Sequence, residues 1–153
     1  MNRDPFDRRI AELTGTIAGR PLDAALARFL NESYGPGSEW FRDVRTACID
    51  AVEEGWMCDR EAGGIRYGRV TKPGASAGPF SVDVVSMDDI RGPYHVHPEG
   101  EIDMIMPLAG DARFDGEGEG WLVYEPGSAH YPTVTGGSAL VLYLLPSGRI
   151  EFT

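Results

Sequence analysis

Residues 92–101 read Gly-Pro-Tyr-His-Val-His-Pro-Glu-Gly-Glu, and this stretch decides the fold. His95 and His97 stand two residues apart in an extended segment, where side chains alternate, so both imidazoles project from one face. A Pro-Glu-Gly turn follows, and Glu101 begins the next segment, from which its carboxylate can return toward the histidines. The stretch predicts two strands joined by a tight turn, with three metal-ligating side chains at their junction.

A second stretch, residues 120–130, completes this pattern with Gly-Trp-Leu-Val-Tyr-Glu-Pro-Gly-Ser-Ala-His. His130 follows a Pro-Gly turn, and it is one of only three histidines in the chain, with His95 and His97. Three imidazoles and the carboxylate of Glu101 suit one divalent transition metal, such as Fe, Zn, Mn or Ni. The alternative is three unrelated surface or core histidines, and the shared spacing and the matching carboxylate disfavour it.

The length and the net charge of the chain limit the number of domains and the kinds of partner to expect. The chain has 153 residues, the length of one domain, and a formal net charge of −10, which argues against nucleic acid and against an anionic membrane as partners. No apolar run approaches the roughly 20 residues of a membrane span, and the first residues lack the apolar region of a signal peptide. We therefore expect a cytoplasmic protein in which Cys48 and Cys58 are free thiols.

The hydrophobic pattern changes near Gly55. Before it, apolar residues recur at helical spacing in three segments that begin near Pro5, Asp23 and Ser38. After it, short β-rich runs are separated by Gly, Pro and Asp, at 65–70, 80–85, 94–97, 102–106, 112–115, 121–124, 140–145 and 150–152. The pattern predicts a mainly β jelly roll of residues 56–153, with residues 1–55 as an α-helical segment packed on the barrel, in one structural domain.

The two histidine motifs resemble the paired motifs of the cupin superfamily. All four ligand positions match, at His95, His97, Glu101 and His130. The departures lie in flanking glycines, in a proline–glycine turn that is one residue short, and in Val134, where asparagine is usual. The resemblance implies a cupin-type double-stranded β-helix barrel with the metal inside it.

A narrower resemblance covers most of the chain. Residues 97–107, 114–116, 120–121, 126–134 and 142–146 are similar to a small bacterial cupin-like family that includes the 4-hydroxylaminobenzoate lyases of nitrobenzoate catabolism. That resemblance implies conversion of 4-hydroxylaminobenzoate and water to 3,4-dihydroxybenzoate and ammonia. It also implies a small aromatic carboxylate as substrate, and the pairing of cupins through exposed strands implies a homodimer.

Two carboxylates are candidates for proton transfer. On a regular strand, Asp103 shares the inward face of Glu101, and a carboxyl group beside a metal suits a general acid or base. A bulge after Glu101 would instead turn Asp103 outward. Glu99 lies in the turn at the expected barrel mouth and is interpreted first as a solvated turn residue. It is the second candidate because its side chain could swing in.

An early strand carries the candidates for substrate binding. Arg66 or Arg69, depending on the register and with Arg66 preferred, is predicted to bind a substrate carboxylate beside Tyr67. The alternative is that each arginine is a solvated edge residue. The acidic residues that follow the strand at 102–106 are interpreted as a solvated loop: Asp111, Asp115, Glu117 and Glu119.

Two other functions remain compatible with the ligand set. An iron-dependent cupin dioxygenase acting on a small aromatic or thiol substrate would use the same three histidines and one glutamate. A cupin that binds a small ligand without catalysis would also keep these residues, because a fold and its site do not by themselves fix an activity.

Overall fold

Three helices open the chain, and their ends are set by capping residues. The computed structural model describes residues 3–152, so residues 1, 2 and 153, at the outer ends of the two predicted segments, lie outside it. The helices are α1 Arg3–Ile17, α2 Ala24–Ser33 and α3 Glu39–Glu54. The side chain of Asp23 accepts from the backbone N–H of Leu26 in the first turn of α2, and that of Ser38 accepts from Phe41 in the first turn of α3. Gly55 ends α3 in the left-handed conformation. These predicted helix ends are confirmed.

The described residues then form nine strands. They are β1 Arg60–Ala62, β2 Ile65–Thr71, β3 Phe80–Arg91, β4 His95–His97, β5 Glu101–Phe114, β6 Gly120–Tyr124, β7 Ser128–His130, β8 Thr133–Pro146 and β9 Glu151–Phe152. The two runs predicted at 102–106 and 112–115 are one strand, β5, because irregularities between Pro107 and Arg113 bend it without ending its pairing with β8. Sequence patterning missed β1 and β7, which have only three residues each.

The strands pair antiparallel in two sheets, which confirms the prediction of a mainly β, cupin-type barrel. The large sheet has the order β1-β2-β3-β8-β5-β6, and the small sheet has the order β7-β4-β9. The chain crosses from β4 to β5 through a turn in which Gly100, at φ +89°, donates to the carbonyl of His97 at 3.2 Å. This crossing brings histidines of one sheet to a glutamate of the other.

Two hydrophobic clusters lie on the two faces of the large sheet. The outer cluster joins helix residues such as Phe6 and Phe41 to sheet residues such as Met104 and Leu142. The inner cluster lies between the sheets and contains Tyr143. The helices thus share a core with the barrel, which supports the interpretation of one structural domain; the boundary at residue 55 stays a prediction.

Helix α2 also covers the edge of the large sheet. The amide of Asn31 accepts from the backbone N–H of Trp121 at 2.9 Å and donates to its carbonyl at 3.1 Å. A side-chain amide therefore pairs with the backbone of β6 at Trp121, as a neighbouring strand would. No helix in the described range 3–152 is long and apolar enough to cross a membrane.

Candidate metal centre

Four side chains from three strands converge inside the barrel. His95 and His97 lie on β4, and β7 pairs with β4 so that His130 stands directly opposite His95. Glu101 is the first residue of β5. One ligand atom from each of the four residues lies within 4.8 Å of all the others, and the imidazole ring centroids are 4.6–4.7 Å apart. The predicted ligands are therefore brought together.

The outer nitrogen of each imidazole has a partner. The Nδ1 atom of His95 lies 3.2 Å from the carbonyl of Pro93, and that of His97 lies 3.1 Å from the hydroxyl of Ser128. His130 Nδ1 lies 2.5 Å from a carboxylate oxygen of Asp115. A carbonyl and a carboxylate only accept hydrogen bonds, so Nδ1 carries the hydrogen in at least His95 and His130, and Nε2 is left as a lone pair.

The inner atoms of the cluster need a cation between them. The Nε2 atoms of His95 and His130 are 3.0 Å apart, and two lone pairs at this distance repel each other. His97 Nε2 lies 3.3 Å from Glu101, yet within the described residues neither this nitrogen nor either Glu101 oxygen has a hydrogen-bond partner. Unpartnered buried polar atoms are costly, and a divalent ion would satisfy all of them at once. The residues present fit the implied metal.

The electrostatics of the cluster also suit a metal. Burial, followed by the nearby His130, lowers the pKa of His95 to about 4 and that of His97 to about 3, so both are neutral ligands at physiological pH. Burial raises the pKa of Glu101 to about 8, even though the adjacent Asp103 works in the opposite direction. A divalent ion would reverse this shift, because it favours the ionised carboxylate.

The structure separates the two candidate proton carriers. Asp103 is completely buried on the same inward face as Glu101, and burial, followed by the neighbouring Glu101, raises its pKa well above the usual range. Glu99 lies in the turn with its side chain 40% exposed and forms an ion pair with Arg149 at 3.7 Å. Neither side chain lines the cavity described next, but Asp103 is the strand partner of Tyr143, which does.

A cavity of about 710 Å³ reaches the centre at His95. The side chains of β2 alternate between the two faces of the sheet, and those of Tyr67 and Arg69 line this cavity. Arg66 is absent from the lining and instead acts electrostatically on Cys58, whose side chain belongs to the outer cluster. The register of β2 turns Arg66 to the other face of the sheet, so the geometry favours Arg69 over Arg66, and the substrate-binding role of either stays a prediction.

Sequence patterning missed several polar residues around the centre. Asp115 was interpreted as part of a solvated loop, but it accepts hydrogen bonds from His130, from the Tyr124 hydroxyl and from the backbone of Thr133. Although burial, the largest effect, raises the pKa of Asp115, these bonds together lower it below its usual value. The Asp-Gly pair at 115–116 signals a turn, but nothing local shows that the turn meets His130. Tyr143, a cavity-lining residue, was also missed, because it reads as a core aromatic.

Comparison with known proteins bears on this site. The family model described as "PnbB: 4-hydroxylaminobenzoate lyase" matches residues 8–152. A 4-hydroxylaminobenzoate lyase of Nocardioides sp. (strain LMS-CY) is 39% identical over 150 residues, covering 92% of this chain and 86% of the relative. A 4-hydroxylaminobenzoate lyase of Pseudomonas putida is 35% identical over 167 residues, covering 98% of this chain and 95% of the relative.

Solved structures with a similar course of the chain include two bacterial proteins. The DMSP lyase DddQ from Ruegeria pomeroyi DSS-3 is 16% identical, with a TM-score of 0.46 over 99% of this chain and 98% of that one. An RmlC-like cupin protein from Ralstonia eutropha JMP134 is 11% identical, with a TM-score of 0.44 over 60% of each chain.

The family match extends over nearly the whole described chain, and it includes all four candidate metal ligands. Two curated relatives with identities of 39% and 35% carry the same family name over most of their own length. The chain belongs to the 4-hydroxylaminobenzoate lyase family and is a lyase.

Proposed function

We propose that the protein is a metal-dependent lyase that converts 4-hydroxylaminobenzoate and water to 3,4-dihydroxybenzoate and ammonia. The observation that carries this proposal is the buried His95, His97, Glu101 and His130 cluster, which opens on a cavity in a chain that matches named lyases over most of its length. The cavity volume of about 710 Å³ lies in the range of small-molecule sites.

The proposed reaction balances without an external oxidant or reductant. The N–O bond of the hydroxylamine breaks and its oxygen leaves as water, which removes two electrons from the ring system and gives them to nitrogen. A water molecule then adds to the ring carbon beside the one that carries nitrogen. A second water hydrolyses the resulting imine and releases ammonia, so one water is consumed overall.

Negative charge develops on the departing oxygen as the N–O bond breaks, and this charge must be neutralised. The three histidines and Glu101 would hold a divalent cation, which when bound supplies Lewis acidity for this purpose. The protein itself contributes His95 and His97, whose low pKa values keep them as neutral ligands, and a carboxylate that partly offsets the charge of the cation. Burial of the cluster excludes bulk water, which strengthens each of these interactions.

We assign proton delivery to Asp103 together with Tyr143. Burial, followed by the neighbouring Glu101, raises the pKa of Asp103 and so favours its protonated carboxyl group. Asp103 pairs with Tyr143 across β5 and β8, so the two side chains are neighbours on the inner face, and Tyr143 lines the cavity. On this route Tyr143 lies between Asp103 and the cavity, and both carboxyl oxygens of Asp103 are free to take part because neither has a hydrogen-bond partner among the described residues. Glu99 has no part in this route, since it lies at the surface with Arg149.

We assign recognition of the substrate carboxylate to Arg69, with Tyr67 beside it. Arg69 uses its Nε and one Nη group for Asp83, at 2.8 Å, and the carbonyl of Gly148, at 3.0 Å, so further guanidinium N–H groups remain for a carboxylate. Arg69, Asp83, Tyr143 and Asp103 follow one another across four adjacent strands. Three strand spacings amount to about 14 Å, which an arginine side chain and a para-substituted benzoate can span together.

One assay tests the proposal and separates it from its alternatives. Metal-loaded protein is incubated with 4-hydroxylaminobenzoate under strict exclusion of oxygen, and ammonia and 3,4-dihydroxybenzoate are measured. We expect both products in equal amounts without oxygen. Turnover that needs oxygen would support a dioxygenase instead, and the absence of turnover under either condition would support a protein that only binds a ligand.

A further inference from the structure

We infer that Asp115 is a positioning residue, which fixes the tautomer and orientation of His130 so that Nε2 of this imidazole faces the metal. The inference rests on the proposed metal site but does not depend on the identity of the substrate. Asp115 directly follows β5, a strand of the large sheet, whereas His130 is the last residue of β7, a strand of the small sheet. The contact between them therefore links the two sheets at the metal centre.

His130 is the histidine that most needs this support. It lies at the end of the three-residue strand β7, which pairs only with β4 among the described strands. Its side chain is 10% exposed, whereas that of His97 is completely buried. Neither packing nor strand pairing therefore holds the ring of His130 as firmly as β4 holds the other two histidines.

The carboxylate of Asp115 is itself held in place. Its Oδ1 atom accepts from the backbone N–H of Thr133 at 2.9 Å, and its own backbone N–H donates to the Thr133 carbonyl at 2.8 Å. The Oδ2 atom accepts from the Tyr124 hydroxyl and from His130 Nδ1. With Oδ1 occupied by Thr133, only an acceptor atom faces His130, so the imidazole must carry its hydrogen on Nδ1.

The other two histidines are fixed in different ways. The partner of His95 is a backbone carbonyl, which no side-chain substitution removes. The partner of His97 is the Ser128 hydroxyl, which can donate or accept and therefore does not dictate a tautomer. Asp115 is thus the one side chain, among the residues described, that determines which nitrogen of a ligand histidine carries the hydrogen.

This geometry makes Asp115→Asn the informative variant. If the Asn carbonyl oxygen keeps the bond from Thr133, its NH2 group faces His130, and two donors then oppose each other. The imidazole relieves this conflict by moving its hydrogen to Nε2, which blocks the lone pair that would bind the metal. Tyr124→Phe is the matched control, because it removes one donor to Asp115 and leaves the contact between Asp115 and His130 intact.

The test measures zinc affinity by chelator competition for the wild type, Asp115→Asn, Asp115→Glu and Tyr124→Phe. We expect Asp115→Asn to bind zinc about 10–100-fold more weakly, the usual effect of losing the outer partner of a ligand histidine. Tyr124→Phe should stay within a few fold of the wild type, and Asp115→Glu, which keeps an acceptor, should recover part of the loss. Far-UV circular dichroism of the metal-free proteins must coincide for the comparison to hold; if Asp115→Asn does not fold, wild type and Asp115→Glu decide the question through their tautomers.

The tautomer itself provides a readout that general destabilisation would not move. The chain has three histidines, so side-chain nitrogen-15 spectra of the metal-free protein at mildly alkaline pH contain few signals. We expect His130 to carry its hydrogen on Nδ1 in the wild type and in Asp115→Glu, and on Nε2 in Asp115→Asn. Wild-type zinc affinity in a folded Asp115→Asn variant, or an Nε2–H tautomer in the wild type, would overturn this role alone. A wild type that binds no zinc would overturn the metal site itself, and the role of Asp115 with it.

Discussion

Within residues 101–106, at the start of β5, the two faces of the strand differ in chemistry although all six residues are buried. On one face, Ile102, Met104 and Met106 point toward the helices and belong to the outer hydrophobic cluster. On the other face, Glu101 and Asp103 point into the barrel beside three histidines. Successive side chains on a strand alternate between faces, so six consecutive residues serve two environments.

The two faces contribute differently to the stability of the fold. Burying apolar surface stabilises the fold by about 25 cal/mol per Å², so the outer face needs no further explanation. Burying two carboxyl groups next to each other destabilises it, because each loses water and they repel when both are ionised. The proposed roles of these carboxyl groups, to bind a cation and to hold a proton, would account for their burial on the inner face.

The largest expected effect comes from removing a ligand on the inner side. His97→Ala leaves three of the four ligand side chains and an open space in a buried site, so metal content should fall from about one ion per chain to a small fraction, with loss of turnover. Metal analysis of protein purified without an affinity tag measures this. Unchanged metal stoichiometry in the variant would rule out a site shared by the four residues.

Asp103→Asn should separate catalysis from stability on the same face. The amide cannot deliver a proton, so kcat should fall by about 10²–10⁴-fold, the usual contribution of a positioned acid. Thermal stability should stay the same or rise, because a buried ionisable group next to Glu101 has been removed. Glu99→Gln serves as the surface control and should keep wild-type turnover. Full turnover in Asp103→Asn would show that this carboxyl group does not carry the proton.

Met104→Ala changes the next residue, on the outer face. It should lower stability without affecting the metal site, the reverse of what is expected for Asp103→Asn. Its side chain is completely buried under the helices, and its loss should lower the free energy of unfolding by about 2–5 kcal/mol through the cavity it leaves. Metal affinity of the folded fraction should not change. Chemical denaturation and chelator competition on the same sample check both expectations, and a coupled loss of metal would mean that the two faces are not independent.

The smallest expected effect concerns the two arginines of β2. Arg69 lies on the cavity face of this strand and Arg66 on the opposite face, so they allow a second comparison between two faces of one strand. Arg69→Ala should raise KM by about 10–100-fold with little change in kcat, because a contact to a remote carboxylate is made in both the ground state and the transition state. Arg66→Ala is the matched control, with a side chain that does not line the cavity, and should leave KM unchanged. Equal effects of the two substitutions on KM would refute the assignment of Arg69.

Features with a local cause could be predicted from the sequence. Asp23, Ser38 and Gly55 mark helix ends because capping depends on neighbouring backbone groups. The four metal ligands could be found because their spacing reflects strand alternation and two turns. The inward direction of Asp103 follows from the regular start of β5, where the outward bulge that was the alternative does not occur.

Features that depend on register or on distant pairing could not be predicted in this way. The choice between Arg66 and Arg69 reverses when a strand shifts by one residue, and no local signal sets that register. Asp115 reaches His130 only because the turn after β5 meets the start of β8, a contact made by folding. The ion pair of Glu99 with Arg149 likewise joins residues that are distant in the chain, and no local pattern announces it.

The measurement that tests the central claim most directly is anomalous X-ray diffraction from crystals of the metal-loaded protein, recorded on both sides of the absorption edge of the metal. We expect one peak per chain between the Nε2 atoms of His95, His97 and His130 and the carboxylate of Glu101, at about 2.0–2.2 Å from each ligand atom. A peak elsewhere in the chain, or none at the inner end of β5, would contradict the account that this face is buried in order to hold a metal.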